Sequence, residues 1–437
     1  MKVSHFVLFA LSVSKAVGFQ PILHNNPAFH ITSTKLSAYV DFDENSPRDV
    51  ATMDQWASQY GVQKGGGFQL TSPDGLDISV MSSEGAQANT PVLFVPNTLV
   101  LSAIQAQQEL GMFSEAEKRL VQAKAADDLA NFYLFVKILK EFEMGDQSPW
   151  FPWLNSLPRY FVNGASMTPF CFDCLPPLAS YIAFCERHKF KQFFQALTYV
   201  DVLSDQIKTN TNLCKWAFSA IYTRSTQTPD GDFKIAPMAD MLNHASIPEA
   251  QITFDEQGNC NVYAIKDVPP GSPLRISYGE VTNPSYLFAR YGCLDETSNV
   301  CFCKIMIKDP PQRLIDMGYD HSRMLFYSDT GQVSQEVWDV VLYRLLESTD
   351  KNTQDQLYQA HMNGDYNTKQ AIHQQYYPQT LQSLLDHVNI FLSELEVLRN
   401  NGAGVDVAQH PRLPKIMQHN DYIKQTFLTV QQQLMNM

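Results

Sequence analysis

Apolar and polar positions change rhythm several times along this chain. Residues 1–18 begin with Lys2, carry an apolar run from Phe6 to Val13 and end on the small-x-small triplet Ala16-Val17-Gly18. That is the outline of a secretory signal, with an apolar run too short to span a bilayer. Residues 19–40 contain no acid and are rich in Ser, Thr, Asn and His, as in an organelle transit segment. Residues 41–67 form a polar lead-in with one helix, closed by Gly65-Gly66-Gly67. Short strands are expected at Phe68 to Thr71, Asp77 to Met81 and Val92 to Val95, the last stopped by Pro96. From about 103 to 222 the period becomes helical. Ser114-x-x-Glu117 reads as a capping box, and Leu129, Phe132, Tyr133, Val136 and Leu139 as one core-facing stripe.

Strands return over 233–280. Ile252-x-Phe254 and Val262-x-Ala264 flank Glu256-Gln257-Gly258-Asn259, a hairpin pattern, and Leu274, Ile276 and Tyr278 alternate along a last strand. Beyond about 305, Val337, Trp338, Val341, Leu342 and Leu345 recur at helical spacing. So do Leu381, Leu384, Leu385, Val388, Leu392 and Leu395, with Asn401-Gly402 closing that helix. The class is therefore α+β: a β-fold at 68–280 split by a helical insert, then an all-α domain over 305–437. No GxGxxG follows a strand, which excludes a conventional dinucleotide fold.

Composition adds two limits. A formal net charge of -13 argues against a protein that coats nucleic acid and suits attraction of a basic substrate tail. No stretch predicts stable membrane insertion. Eight cysteines are sparse in 437 residues. Cys171-x-x-Cys174 has metal-ligand spacing, but no second pair follows at zinc-finger distance, so buried or free thiols are the expectation.

The chemistry concentrates in Ile235-Ala-Pro-Met-Ala-Asp240-Met-Leu-Asn243-His244-Ala-Ser246, then Ile276-Ser-Tyr278-Gly279-Glu-Val-Thr-Asn283, then Tyr291-Gly292. Taken singly these residues are unremarkable: Asp240 could cap a turn and Tyr278 could be a core tyrosine. Together they resemble the second half of a SET domain. Ser72-Pro-Asp74-Gly75-Leu76 resembles the loop that opens that domain. Ser148 to Pro158 resembles its helical insert, and Trp216 to Arg224 the helix leading back into it. From about residue 68 onward the order resembles the plastid Rubisco large-subunit lysine methyltransferase class, whose relatives include a histidine methyltransferase of actin.

The resemblance implies an S-adenosylmethionine-dependent protein methyltransferase. Its cofactor site would be Asp74, Gly75, Leu76, Arg224, Asn243 and His244, and its reaction site Tyr278 and Tyr291. Arg224 suits a carboxylate, Gly75 a close backbone approach and Asn243 the amino-acid end. Backbone around His244 could read adenine, leaving its imidazole without a catalytic role. The tyrosines would line a dry channel that favours a neutral amine, with Tyr278 orienting it. The helical tail would dock a protein substrate. No metal is expected, because Cys301-x-Cys303 lacks the third cysteine of the histone-type zinc tail. Asp77 after Leu76, and Gly271-Ser272-Pro273 before the last strand, depart from the pattern. Ala16-Val17-Gly18-Phe19 resembles the presequence of algae with secondary plastids, so a plastid location is expected, plain secretion being the other reading. A histidine acceptor and a non-catalytic protein-binding adaptor are the competing functions.

Overall fold

A computed structural model describes residues 38–72, 77–279, 284–295, 302–304, 310–319 and 324–437. The presequence and the opening-loop residues Asp74, Gly75 and Leu76 lie outside them.

The β-rich half is assembled from small sheets. Strands Gln63–Lys64, Pro91–Val95, Cys260–Ala264 and Ala250–Phe254 form one antiparallel sheet in that order, so the sheet starts ahead of residue 68. Val92, Leu93 and Val95 are fully covered, which explains the continuous apolar run. Ser272–Pro273, Ser79–Ser82 and Phe68–Thr71 make a second sheet.

The helical insert is stapled shut where it leaves and re-enters the β-fold. Leu101–Ser102 pairs with Phe233–Ile235. The Ser102 hydroxyl donates to buried Asp232 at 2.7 Å and also accepts the Gln105 amide, capping helix Ala103–Leu110.

Four sequence expectations change. The helix Ser114–Gln122 has no capping box: Phe113 is its N-cap, and Glu117 instead accepts the Tyr133 hydroxyl at 2.6 Å. The Leu129–Glu143 helix is buried on most of its circumference rather than on one stripe. Even its Lys137 is covered, held between Glu109 and Glu141 at 2.6 and 2.7 Å. Leu274, Ile276 and Tyr278 do not share one strand. The Leu274 amide goes to Val80, after which Arg275–Ile276 switches partner and runs parallel to Asn243–His244, leaving Tyr278 past the strand end.

The C-terminal region is the fourth. After the short helix Gln312–Asp316 it contains a strand, Leu325–Tyr327, paired with Phe302–Lys304, and its other described elements are helices. Its core gathers Leu342, Leu346, Leu357, Leu384, Val388, Phe427 and Val430. The last helix, Leu413–Met435, is shared: its first turns pack Leu413 and Ile416 with Cys171, Cys174, Ala183 and Phe288 of the preceding half. His419 there is fully buried and stacks on Phe288 at 4.4 Å. Burial lowers its pKa to about 4. The tail is therefore not a detachable lobe, since removing it would strip cover from Phe288.

Candidate active site

Two segments distant in sequence build the site. After strand Phe233–Ile235 the chain turns sharply. Met238, buried, takes φ 74, ψ -48, a left-handed conformation costing a side-chain-bearing residue of order 1–3 kcal/mol. The turn throws Asp240 back toward the end of helix Thr211–Arg224. There the Arg224 Nη1 donates to the Asp240 carbonyl at 2.6 Å and to its Oδ2 at 3.0 Å, and Trp153 Nε1 donates to the same Oδ2 at 3.0 Å. Asp240 is not a turn cap but the buried anion of the site, its side chain 1% exposed.

A second guanidinium stands beside the pair. Arg48, from the lead-in, donates from Nε to the Ser156 carbonyl at 2.8 Å. Its Nη2, like the Arg224 Nη1, lies 3.7 Å from the Met241 sulfur. Burial first, then the Arg224 cation, lowers the Arg48 pKa to about 9. It remains charged near neutrality, with Asp240 and then Asp77 opposing the shift. Arg224 Nε and Asp240 Oδ1 are buried without a hydrogen-bond partner among the described residues. Buried polar atoms rarely stay unpaired. An orphan donor and an orphan acceptor beside these two guanidiniums fit the carboxylate and ammonium of an amino-acid zwitterion.

Asn243 is already half engaged, its Nδ2 donating to the Ile78 carbonyl at 3.2 Å. It ties the end of the opening loop to the motif and keeps its carbonyl oxygen for other use. The His244 imidazole faces the other segment: its Nδ1 accepts the Tyr278 amide at 3.1 Å. Burial lowers its pKa, with Asp295 opposing and Arg275 reinforcing. The ring is thus neutral, with the proton on Nε2, which is buried without a hydrogen-bond partner among the described residues.

Tyr278 is held at both ends. Besides its amide bond to His244, its hydroxyl donates to the Leu242 carbonyl at 2.7 Å. Gly279, at φ 112, then turns the chain away. Tyr291, ending helix Pro284–Tyr291, sets its ring 4.6 Å from that of Tyr278, and its hydroxyl lies 3.5 Å from the Tyr278 carbonyl. Burial pushes Tyr291 up to about 12 and raises Tyr278 further. Both phenols are neutral, and a hydroxyl whose hydrogen is spent on Leu242 offers lone pairs to an incoming N–H.

The structure thus brings Arg224, Asn243, His244, Tyr278 and Tyr291 together. Sequence reasoning missed Arg48, Trp153 and the role of Asp240. Arg48 sits in no motif, so only its tertiary position reveals it. The pairing of Asp240 with a Trp and an Arg from the flanking helices was the available signal for the other two.

Residues 78–279 match the SET domain family. Among curated proteins, the actin-histidine N-methyltransferase of Danio rerio is 24% identical over 258 residues, covering 49% of this chain and 39% of that protein. The one from Gallus gallus is 23% identical over 256 residues, covering 53% and 40%. The chain spans about two fifths of the length of these relatives. Among solved structures, the SET domain of LSMT bound to lysine and AdoHcy superposes with a TM-score of 0.62 at 13% identity over 89% of this chain and 91% of that one. Rubisco LSMT bound to AdoMet gives 0.61 at 13% identity, covering 90% and 92%. At that identity the likeness is one of fold.

Proposed function

We propose that this SET-domain chain is an S-adenosylmethionine-dependent protein methyltransferase, transferring a methyl group to a lysine of a non-histone plastid protein. The observation that carries the reading is the Arg48–Arg224–Asp240 cradle, whose two orphan polar atoms match an amino-acid zwitterion, with a doubly pinned tyrosine anchored on Leu242, two residues after Asp240. When bound, the cofactor supplies an electrophilic methyl group on its sulfonium.

The chain's residues do the rest. Arg224 and Arg48 hold the carboxylate and Asp240 Oδ1 takes the ammonium. Asp74, Gly75, Leu76 and Asn243 are assigned to the same end, and the backbone at His244 would read the adenine. Tyr278, donating to Leu242, accepts an N–H of the target amine and so aims its lone pair at the methyl group. Tyr278 and Tyr291 surround that amine with neutral, water-excluding rings, which disfavours the ammonium form. Helices beyond residue 324 recruit the folded protein substrate, and residues 1–40 direct the chain to the plastid.

The solved neighbours bound to lysine and monomethyllysine favour a lysine acceptor. Curated relatives named as actin-histidine methyltransferases favour histidine as the second reading. Calorimetry with S-adenosylmethionine comes first: a folded protein that takes up none ends the enzyme reading. Tritiated cofactor with a plastid extract, followed by mass spectrometry of the labelled protein, then separates lysine from histidine.

A further inference from the structure

Next to Tyr291 sits a cation that the reaction, as described, does not use. Arg290 occupies the last turn of helix Pro284–Tyr291. Its Nε donates to the Tyr222 carbonyl at 3.1 Å and its Nη1 to the Tyr286 hydroxyl at 2.8 Å. Its guanidinium carbon lies 5.4 Å from the ring centres of both Tyr222 and Tyr291. Tyr222 is two residues before Arg224 on the same helix. One side chain therefore ties the acceptor-side tyrosine to the turn that carries the cofactor-side arginine.

The charges facing this guanidinium are few. Helix Pro177–Ala196 contributes Glu186 and Lys189. The 3-10 turn Ala126–Asp128, ahead of helix Leu129–Glu143, contributes Asp128, which accepts the Tyr222 hydroxyl at 2.9 Å and pairs with Lys189 at 3.1 Å. Tyr222, Tyr286 and Tyr291 are the phenols around it. Lys189 and Asp128 offset each other, so Glu186 is the one acid left to balance Arg290 among the described residues. Burial raises the Glu186 pKa to about 7, with Arg290 opposing. Near neutral pH the cation is only partly compensated.

We infer that Arg290 is a positioning residue of the reaction site: it fixes Tyr291 against the helix bearing Arg224, and its partly compensated charge keeps the methyl acceptor in its neutral, nucleophilic form. The inference rests on the lysine methyltransferase reading. The physics is a cation about one ring away, through a low-dielectric aromatic pair. At that separation a unit charge moves a neighbouring amine's pKa by about one unit. Aromatic desolvation already disfavours the ammonium, and Arg290 adds a like charge that reinforces it.

The test counts protons. Nα-acetyl-Nε-methyl-lysine amide is titrated calorimetrically into the full chain saturated with S-adenosylhomocysteine, at pH 8, in two buffers of different ionisation enthalpy. An acceptor held neutral releases close to one proton on binding to the parent. In Arg290→Gln the release falls toward about one half, and the pH dependence of affinity moves up by about one unit. Arg290→Lys, which keeps the charge and loses the fork, retains the release. Glu186→Gln removes the compensating acid and sustains the release to lower pH, so it carries the test if Arg290→Gln does not fold. Affinity that drops in Arg290→Gln with proton release unchanged would assign Arg290 a structural role only and overturn the inference. So would an unchanged release between pH 6.5 and 7.5 in Glu186→Gln. A parent that binds S-adenosylmethionine but never this amide sinks the lysine reading, and this inference with it.

Discussion

Two of the carboxylates that the chain buries among cations are built differently. Asp339, in the C-terminal helices, is closed. Its Oδ1 accepts Gln335 at 3.0 Å and His373 at 2.7 Å, while its Oδ2 takes the Lys369 ammonium and the Tyr319 hydroxyl. Burial alone would raise its pKa, but donors from His373, Lys369, Tyr319 and Gln335 together hold it well below the usual carboxylate range. Asp240 is open. It has three contacts on Oδ2 and its main chain, none on Oδ1 among the described residues, and the Arg224 and Arg48 guanidiniums beside it. A buried ion cluster with every lone pair filled ties helices together. One with an oxygen left unfilled keeps a place for the ligand that the proposed function assigns to it.

Substitutions can break that contrast, and the largest effect belongs to the closed centre. Asp339→Ala leaves the half-buried Lys369 without its counter-ion, and we expect a loss of about 3 kcal/mol of unfolding free energy by urea denaturation. S-adenosylmethionine affinity of the surviving folded fraction should be unchanged. Asp240→Ala should cost less stability, since Arg224 keeps the residue-240 carbonyl, yet should abolish the rise in melting temperature that the cofactor gives the parent. Equal destabilisation with cofactor protection intact would erase the distinction.

Turnover sharpens it next. Tyr278→Phe keeps the ring and removes the lone pairs that aim the amine. Initial rates should fall about a hundredfold, roughly 2.7 kcal/mol, with S-adenosylmethionine affinity within about twofold. Normal turnover would return Tyr278 to the core. Arg48→Met tests the open centre where sequence gave no hint. Cofactor affinity should weaken by about 1–3 kcal/mol in calorimetry, and an unaffected affinity would remove Arg48 from the cradle.

The smallest effect is in pH. Because Asp339 is depressed when folded, its contribution is complete above the unfolded carboxylate value, near 4, and is lost as pH falls below it. His419 adds to this from higher pH. Its folded pKa of about 4 lies under the unfolded value of 6.5, so stability is full above 6.5 and declines between 6.5 and 4. Melting temperature followed from pH 7 to 4 should fall less steeply in His419→Gln than in the parent, and parallel curves would contradict the assignment.

Much of the fold was legible because periodicity is a local property. The strand Phe68–Thr71, the hairpin Ala250–Phe254 with Cys260–Ala264, and the helix ending at Gly402 follow from spacing alone. The capping box at Ser114 failed for a physical reason: Glu117 found a better donor in Tyr133, on a helix whose position no local pattern specifies. The stripe on Leu129–Glu143 failed likewise, because neighbouring helices decide how many faces are covered.

The site divides the same way. The amino-acid sequence by itself determined which residue types stand in the Asp240–Ser246 and Tyr278–Tyr291 segments, and with them the kind of chemistry available. Only the tertiary structure decided that Arg48 stands beside Arg224, that Asp240 is an anion short of partners, and that His244 spends its imidazole on the Tyr278 amide. Each of these is set by the distance between segments far apart in the chain. Charge balance and hydrogen-bond saturation depend on that distance, and composition and spacing do not encode it.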